Sequence, residues 1–508
     1  MDMGRAVGID LGTTYSAVAA IEAGAPEVIR NDDGDYTTPS VLYFDGEEVS
    51  LGVCAENMRA KAEGDVASLI KRQMGNTDFV FVPDSNDNEY RAEDLSALIL
   101  TKLVASAENV LGEEITDVVI TVPAYFEDEH RNATRTAAEI AGLTVLQLIN
   151  EPTAAALSFG VGSGFSGTLL VYDLGGGTFD VTVLRCQNND FTVLASLGDR
   201  NLGGFDFNNA LFGVVNEKFK EQTGQPIPTD QYLQVMDAVE DTKRRLSQAE
   251  KATVFISALG QNVKVQVTRQ EFESAASFLL KTTEFLVDES VETAGVSYSA
   301  IDKVLLVGGS TRMPMVQNLV ERLTGQTPDK SVHPDQAVAL GAAIVADKVS
   351  ADRAGAAPDM PAGGSIDFSD VISQGVGVLA LNAASQLAYT QLIPPQTSIP
   401  AQAEHDFGLP VENQQEIRLQ IVSHDVDGVL EAQVKSLGES MLKVPPGRAA
   451  GSGVRVIFSA DIDGIIHVQV IDLTEGINLG EMEVKRPGEM DPKRMAQARE
   501  LVASAQFT

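Results

Sequence analysis

Two carboxylates, Asp10 and Asp173, each stand at the end of an apolar run and are followed by leucine, glycine and hydroxyl residues. The stretches are VGIDLGTTYSAVA, Val7 to Ala19, and LLVYDLGGGTFDVTVL, Leu169 to Leu184. Such runs read as buried strands, and each carboxylate falls where its strand emerges. Gly175, Gly176 and Gly177 have no side chains, so their N–H groups can approach a polyanion closely in conformations closed to other residues. A lone glycine-rich bend is usually an ordinary tight turn. Two acidic hairpins of one plan, Gly12, Thr13 and Thr14 in the first and Thr178 and Asp180 in the second, point instead to a phosphate chain gripped from two sides.

Other motifs narrow the chemistry. Gly162, Gly164 and Gly167 spell G-x-G-x-x-G, but they precede a strand instead of following one and opening a helix, so they read as a loop. No G-x-x-x-x-G-K-[ST] occurs, which excludes a P-loop. KVLLVGGSTRMPMV, Lys303 to Val316, repeats the plan of strand, glycine pair and helix start; the planar guanidinium of Arg312 suits stacking on a base, and Gly308, Gly309 and Ser310 suit its sugar edge. Glu240, Lys243, Arg244 and Ser247 follow i, i+3, i+4, i+7 spacing and share one helical face, which alone would read as solvated. Lys71, taken alone, reads as a surface lysine.

With these residues in place the chain resembles the seventy-kilodalton heat-shock chaperones, DnaK-like, within the actin and sugar-kinase ATPase superfamily. The likeness spans nearly the whole chain and weakens after about Val349. It implies a two-lobed actin-like α/β ATPase domain over residues 1–350, a linker over 351–371, an antiparallel β-sandwich that binds peptide over 372–486, and a lid remnant over 487–508. It implies that Lys71, Glu151, Thr178 and Asp180 orient water and K⁺, and that Asp10 and Asp173 hold Mg²⁺ through its water shell. Tyr15 and the turn at Gly203 and Gly204 join Gly12, Thr13, Thr14 and the Gly175 to Gly177 turn around ATP or ADP. Glu240, Lys243, Arg244, Ser247, Arg312 and Asp335 hold adenosine, and Pro123 and Arg131 form a relay. Val378, Leu381, Phe407 and Ile417 fall at peptide-pocket positions, where plain sandwich core is the equal alternative.

The match departs in three places. Most of the helical lid is expected to be missing; the linker reads IDFSDV, with Asp367 and Ser369 where the resemblance implies apolar residues; and Gln147 stands where it implies an arginine used with J-domain partners. Peptide release is therefore expected to be fast and its response to ATP weak. The expected function is an ATP-dependent chaperone for extended apolar polypeptide, with J-domain and exchange-factor partners. The alternatives are an ATP-switched scaffold with one dedicated partner and a small-molecule kinase.

A chain of 508 residues suggests about three domains to position these groups. The net charge of −35 opposes nucleic-acid and anionic-membrane binding. Cys54 and Cys186, too few for a disulfide framework, read as ordinary buried thiols of a reducing compartment. No signal-like segment or apolar run of membrane-spanning length is evident, so cytoplasm is expected. TDVVITVPAYF predicts a strand ending at Pro123, then a helix from Glu127 to Ala141; NEPTAAAL predicts a helix with Pro152 in its first turn. Period-two runs after Arg418, separated by turns such as DIDG at Asp461, predict the sandwich.

Overall fold

The computed structural model describes residues 5–363, 366–483 and 490–507. The first lobe holds a sheet ordered Ala25–Ile29, Tyr15–Glu22, Arg5–Asp10, Ile115–Val122, Thr144–Asn150; the hairpin strands are antiparallel and the last two join in parallel. The second lobe repeats the plan. Gly167–Leu174, Phe179–Gln187 and Asp190–Asp199 form an antiparallel meander, and Lys303–Val307 lies parallel to the first of them. Both faces of these sheets are covered, which is why Leu169 to Tyr172 can be apolar without alternation. The alanine-rich helix Ala337–Ala354 packs against both lobes, in one cluster with Ala19 and Val119 of the first sheet and Leu169, Val171 and Leu305 of the second. A Cβ on Gly8 would lie 2.1 Å from the nitrogen of Ala343, and one on Gly341 would lie 1.8 Å from the carbonyl oxygen of Ala154. Its small residues thus permit backbone-to-backbone packing at the heart of the domain.

The sandwich pairs two four-stranded antiparallel sheets: Leu387–Ile393, Val376–Leu381, Glu416–Ser423 and Lys435–Lys443 in one, and Ala401–Gly408, Gly453–Ala460, Ile466–Asp472 and Ile477–Glu483 in the other. Val378, Ile421, Leu442, Val456, Phe458 and Val468 fill the space between them. The two-lobed α/β fold followed by a β-sandwich is thus present.

The connections between and after the domains pack onto the two lobes. The helix Ala337–Ala354 runs past residue 350, and Asp367–Val371 is a strand, parallel to Asp190–Asp199 and capped at its far edge by Ser398–Ile399. Gly364 and Ser365 of the expected linker, and 484–489 around the expected sandwich end, lie outside the described residues. The final helix, Pro492–Ser504, lies on the first lobe: Ala498 and Val502 are buried in that lobe's core, and Arg494 pairs with Asp94 of the helix Ala92–Leu111. Gln506–Phe507 then adds a parallel strand beside Glu48–Leu51. Cys186 is buried, but Cys54 is exposed, against the reading of two buried thiols.

Candidate active site

Between the lobes lies a cleft of about 580 Å³, a size suited to a small-molecule ligand. Its floor is the meeting of the two acidic hairpins. A Cβ on Gly176 would lie 2.4 Å from Thr14, and one on Gly177 would lie 2.5 Å from Thr13, so only glycine lets the turns come together. The third glycine turn closes on the same place, with Gly204 N–H donating to the carbonyl of Gly175 at 2.9 Å and Phe205 N–H to that of Gly176 at 2.8 Å. Ser40 Oγ donates to the Gly12 carbonyl at 2.8 Å and holds the first turn from behind.

Asp10, Gly12, Thr13, Thr14, Tyr15, Lys71, Glu151, Asp173, Gly175, Gly176, Thr178 and Gly204 line the cleft together. Gly177 and Gly203 support its floor. Lys71, buried, forms an ion pair with Glu151. Thr121 Oγ1 donates to Asp10 at 3.3 Å. Asp180 lies behind the cleft wall, 1% exposed, accepting from the backbone N–H of Tyr125 at 3.1 Å. Burial and the neighbouring Glu151 push Asp10 up to about 7 and Asp180 up to about 8. Asp173 is raised too, by burial and then by Glu151, Asp180 and Asp10.

At the other end, Glu240, Lys243, Arg244 and Ser247 do share one face of the helix Tyr232–Leu246 and its C-cap, turned to the cleft. Arg244 donates to Glu240 at 2.8 Å and to Tyr15 at 2.9 Å, joining the lobes across the opening. Lys243 Nζ donates to the Gly204 carbonyl at 2.9 Å, and burial lowers it to about 8. Gly308, Gly309, Ser310, Arg312 and Asp335 complete the rim. Arg312 forms a two-pronged pair with Asp335, at 3.1 and 2.7 Å, which holds the guanidinium plane in place.

Sequence reasoning missed Arg72. It donates to the Gly177 carbonyl at 2.7 Å and to Asp206 at 2.5 Å, tying the Lys71 segment to the second lobe. Its signal was a second basic residue beside Lys71 in an otherwise apolar stretch. Phe205, Tyr232 and Met236 of the cleft wall were missed as well. Of the peptide-pocket positions, Val378 is 3% exposed in the sandwich core; Phe407 and Ile417 pack partly buried against that core, and Leu381 is 53% exposed at a strand end.

A junction joins sandwich and first lobe. Asp463, in the DIDG turn, accepts from Leu148 N–H at 2.8 Å and pairs with Arg135, while its carbonyl accepts from Arg131. Arg131 also donates to Asn150 at 2.6 Å. Asp370 accepts from Thr153 at 2.5 Å and from Asn150 N–H at 3.4 Å. Lys435 pairs with Glu127 and, at 2.7 Å, with Glu129. Gln147 is buried in the strand Thr144–Asn150.

The Hsp70 protein family model matches residues 6–506. The chaperone protein DnaK of Halobacterium salinarum is 38% identical over 482 residues, covering 93% of this chain and 74% of that protein. Those of Phaeodactylum tricornutum and Trieres chinensis are each 38% identical, covering 95% of this chain and 83% of theirs. The chain belongs to the Hsp70 family, and it is an ATP-binding molecular chaperone and ATPase.

Proposed function

We propose that this Hsp70-family chain binds extended apolar segments of unfolded polypeptide in its β-sandwich and exchanges them under control of slow ATP hydrolysis in the interlobe cleft. One observation carries the reading. Glu151, paired with Lys71 in the cleft, is the chain neighbour of Asn150, which holds both Arg131 and Asp370 at the junction. A rearrangement at the phosphates therefore reaches the strand Asp367–Val371 across a single peptide bond, and the sandwich one contact further on, through Arg131 and the Asp463 carbonyl.

In the proposed mechanism the glycine turns and Thr13 and Thr14 bind phosphate oxygens, and Lys71 steadies charge in transfer while Glu151 fixes the ammonium. Asp180 and Thr178 orient the attacking water, and Arg312 offers a rigid plane to the base. Carboxylates raised by burial and then by one another's charge, with one lysine among them, fit a divalent cation, with Asp10 and Asp173 as its holders. Bound Mg²⁺ would neutralise phosphate charge, and K⁺ would share the Asp180 and Thr178 side. The adenosine contacts are Glu240, Lys243, Arg244, Ser247 and Asp335. Val378, Leu381, Phe407 and Ile417 are the proposed peptide contacts, with residues 372–486 as the peptide domain and 1–350 as the ATPase. A J-domain co-chaperone and a nucleotide exchange factor complete the proposed partners, and the cytoplasm is the proposed compartment. No helix among the described residues is long and apolar enough to cross a membrane.

The test is phosphate release with and without a library of extended apolar peptides. Stimulation by many peptides is expected. Stimulation by one folded partner alone would favour a dedicated scaffold, and ATPase indifferent to both would overturn the reading.

A further inference from the structure

Lys71 and Arg72 belong to one tight turn, Ile70–Gln73, whose three leading side chains go to three different places. Ile70 enters the core of the first lobe, Lys71 reaches Glu151, and Arg72 crosses to the Gly177 carbonyl and Asp206 of the second lobe. The chain arrives from the short strand Val66–Ala67 and must reverse within two residues to start this turn. It does so at Leu69, whose φ of 55° and ψ of 27° are left-handed. The Leu69 carbonyl accepts the turn's first hydrogen bond, from Arg72 N–H at 3.0 Å. A residue with a Cβ enters this region seldom, and a γ-branched leucine bears it better than a β-branched side chain. Glycine or asparagine would adopt it with ease.

We propose that Leu69 is a positioning residue for hydrolysis, acting through its left-handed backbone to aim Lys71 at Glu151 and Arg72 at the phosphate turn together. The inference rests on the reading of Lys71 as the ammonium that acts in transfer. Its side chain also lines the cleft, so a side-chain role is the competing explanation. The two make opposite predictions. If the backbone acts, residues that accept the left-handed region preserve hydrolysis whatever their polarity. If the apolar side chain acts, isoleucine and valine preserve it and asparagine does not.

The experiment is single-turnover ATP hydrolysis by the full chain carrying Leu69→Asn, Leu69→Gly, Leu69→Ile or Leu69→Val, with ATP affinity measured alongside. The expected order has Asn and Gly within about threefold of native and Ile and Val lowered at least about thirtyfold in rate, a gap of about 1.4 kcal/mol in the barrier for each factor of ten. ATP affinity is expected to move less than about threefold throughout, since the glycine turns and adenosine contacts are untouched. Activity in Leu69→Ile with loss in Leu69→Asn overturns the inference, as does equal loss in all four. Should Ile and Val not fold, the Asn and Gly variants still decide: a loss beyond about tenfold in both overturns it. Lys71→Ala serves as the control that separates the premises. If it hydrolyses ATP normally the reading of Lys71 falls, and if only the Leu69 order fails the positioning role falls alone.

Discussion

In the cleft, Asp10, Asp173 and Asp180 crowd around the Lys71–Glu151 pair, and their pKa values are raised first by burial and then by the neighbouring Glu151. At the junction, Asp463 and Asp370 are buried as well, but each is opposed by arginines and hydrogen-bond donors from the other side of the interface. Glu127 and Glu129 share Lys435 in the same way. Incomplete neutralisation costs stability and persists where a ligand supplies the missing charge, whereas a complete set of partners holds two bodies together. The cleft thus holds more carboxylates than its lysine offsets, whereas the junction gives each of its carboxylates partners across the interface and leaves Arg135 Nε as a buried donor without one among the described residues.

The largest effect that would sharpen this contrast comes from removing the cleft's cation. Lys71→Ala should lower single-turnover hydrolysis by roughly 10²- to 10³-fold, the cost of deleting one charge-stabilising donor. ATP affinity, measured by titration, should stay near native. Equal loss of binding would mean that Lys71 holds the nucleotide in place of acting on it.

Next in size is a break in the junction. Asp463→Ala leaves Leu148 N–H and Arg135 without their partner, and because Arg135 is partly exposed the loss is about 1–3 kcal/mol. Coupling between nucleotide and peptide should fall by roughly 5- to 150-fold, read as the acceleration of peptide release by ATP. Basal hydrolysis without peptide should change far less. A variant with native acceleration would show that the junction is not on the path between the sites.

The difference also bears on what could be read from residues. The hairpins at Asp10 and Asp173 and the face of Glu240, Lys243, Arg244 and Ser247 were legible because each is local, a strand end, a glycine turn or one helical period. Asp463 looked like an ordinary turn residue, since its partners Arg135 and Leu148 stand 328 and 315 positions away. The helix Pro492–Ser504 was legible as a helix, but nothing in its spacing said that Arg494 would meet Asp94. Arg72 lay one residue from a recognised site and was still missed, because its partners sit in the opposite lobe.

A third measurement asks whether the cleft's strain is real. Asp10 and Asp180 are raised from 3.8 to about 7 and about 8, so the folded protein holds protons that the unfolded chain releases. Stability from this source is present below about pH 4 and is lost as pH rises through about 7 to 8. Metal-free protein should therefore melt at a lower temperature at pH 8 than at pH 6, and Mg²⁺ should narrow the gap by stabilising the ionised carboxylates. A gap that Mg²⁺ leaves unchanged would place the titration elsewhere.

The smallest effect concerns the strand that joins the two regions. Aspartate at 367 and serine at 369, in place of apolar residues, carry the expectation of a weak response of peptide release to ATP. The strand Asp367–Val371 is nonetheless paired, through the ladder Asp190↔Asp367, Phe191↔Phe368, Thr192↔Ser369, which draws on backbone groups alone. Exposure falls along one face, from Asp367, exposed, through Ser369, half-buried, to Val371, 2% exposed. The opposite face carries Asp370, held by Thr153 and Asn150. Leucine at 367 would thus remain in water and gain almost nothing. Leucine at 369 would bury part of its side chain, worth about 0.5–1 kcal/mol at roughly 25 cal/mol per Å². The ratio of peptide off-rates with ATP and with ADP should rise no more than about fivefold for Ser369→Leu and stay native for Asp367→Leu, whereas Asp370→Ala should lower it. If Asp367→Leu proves the strongest of the three, the strand docks by a face other than the one seen.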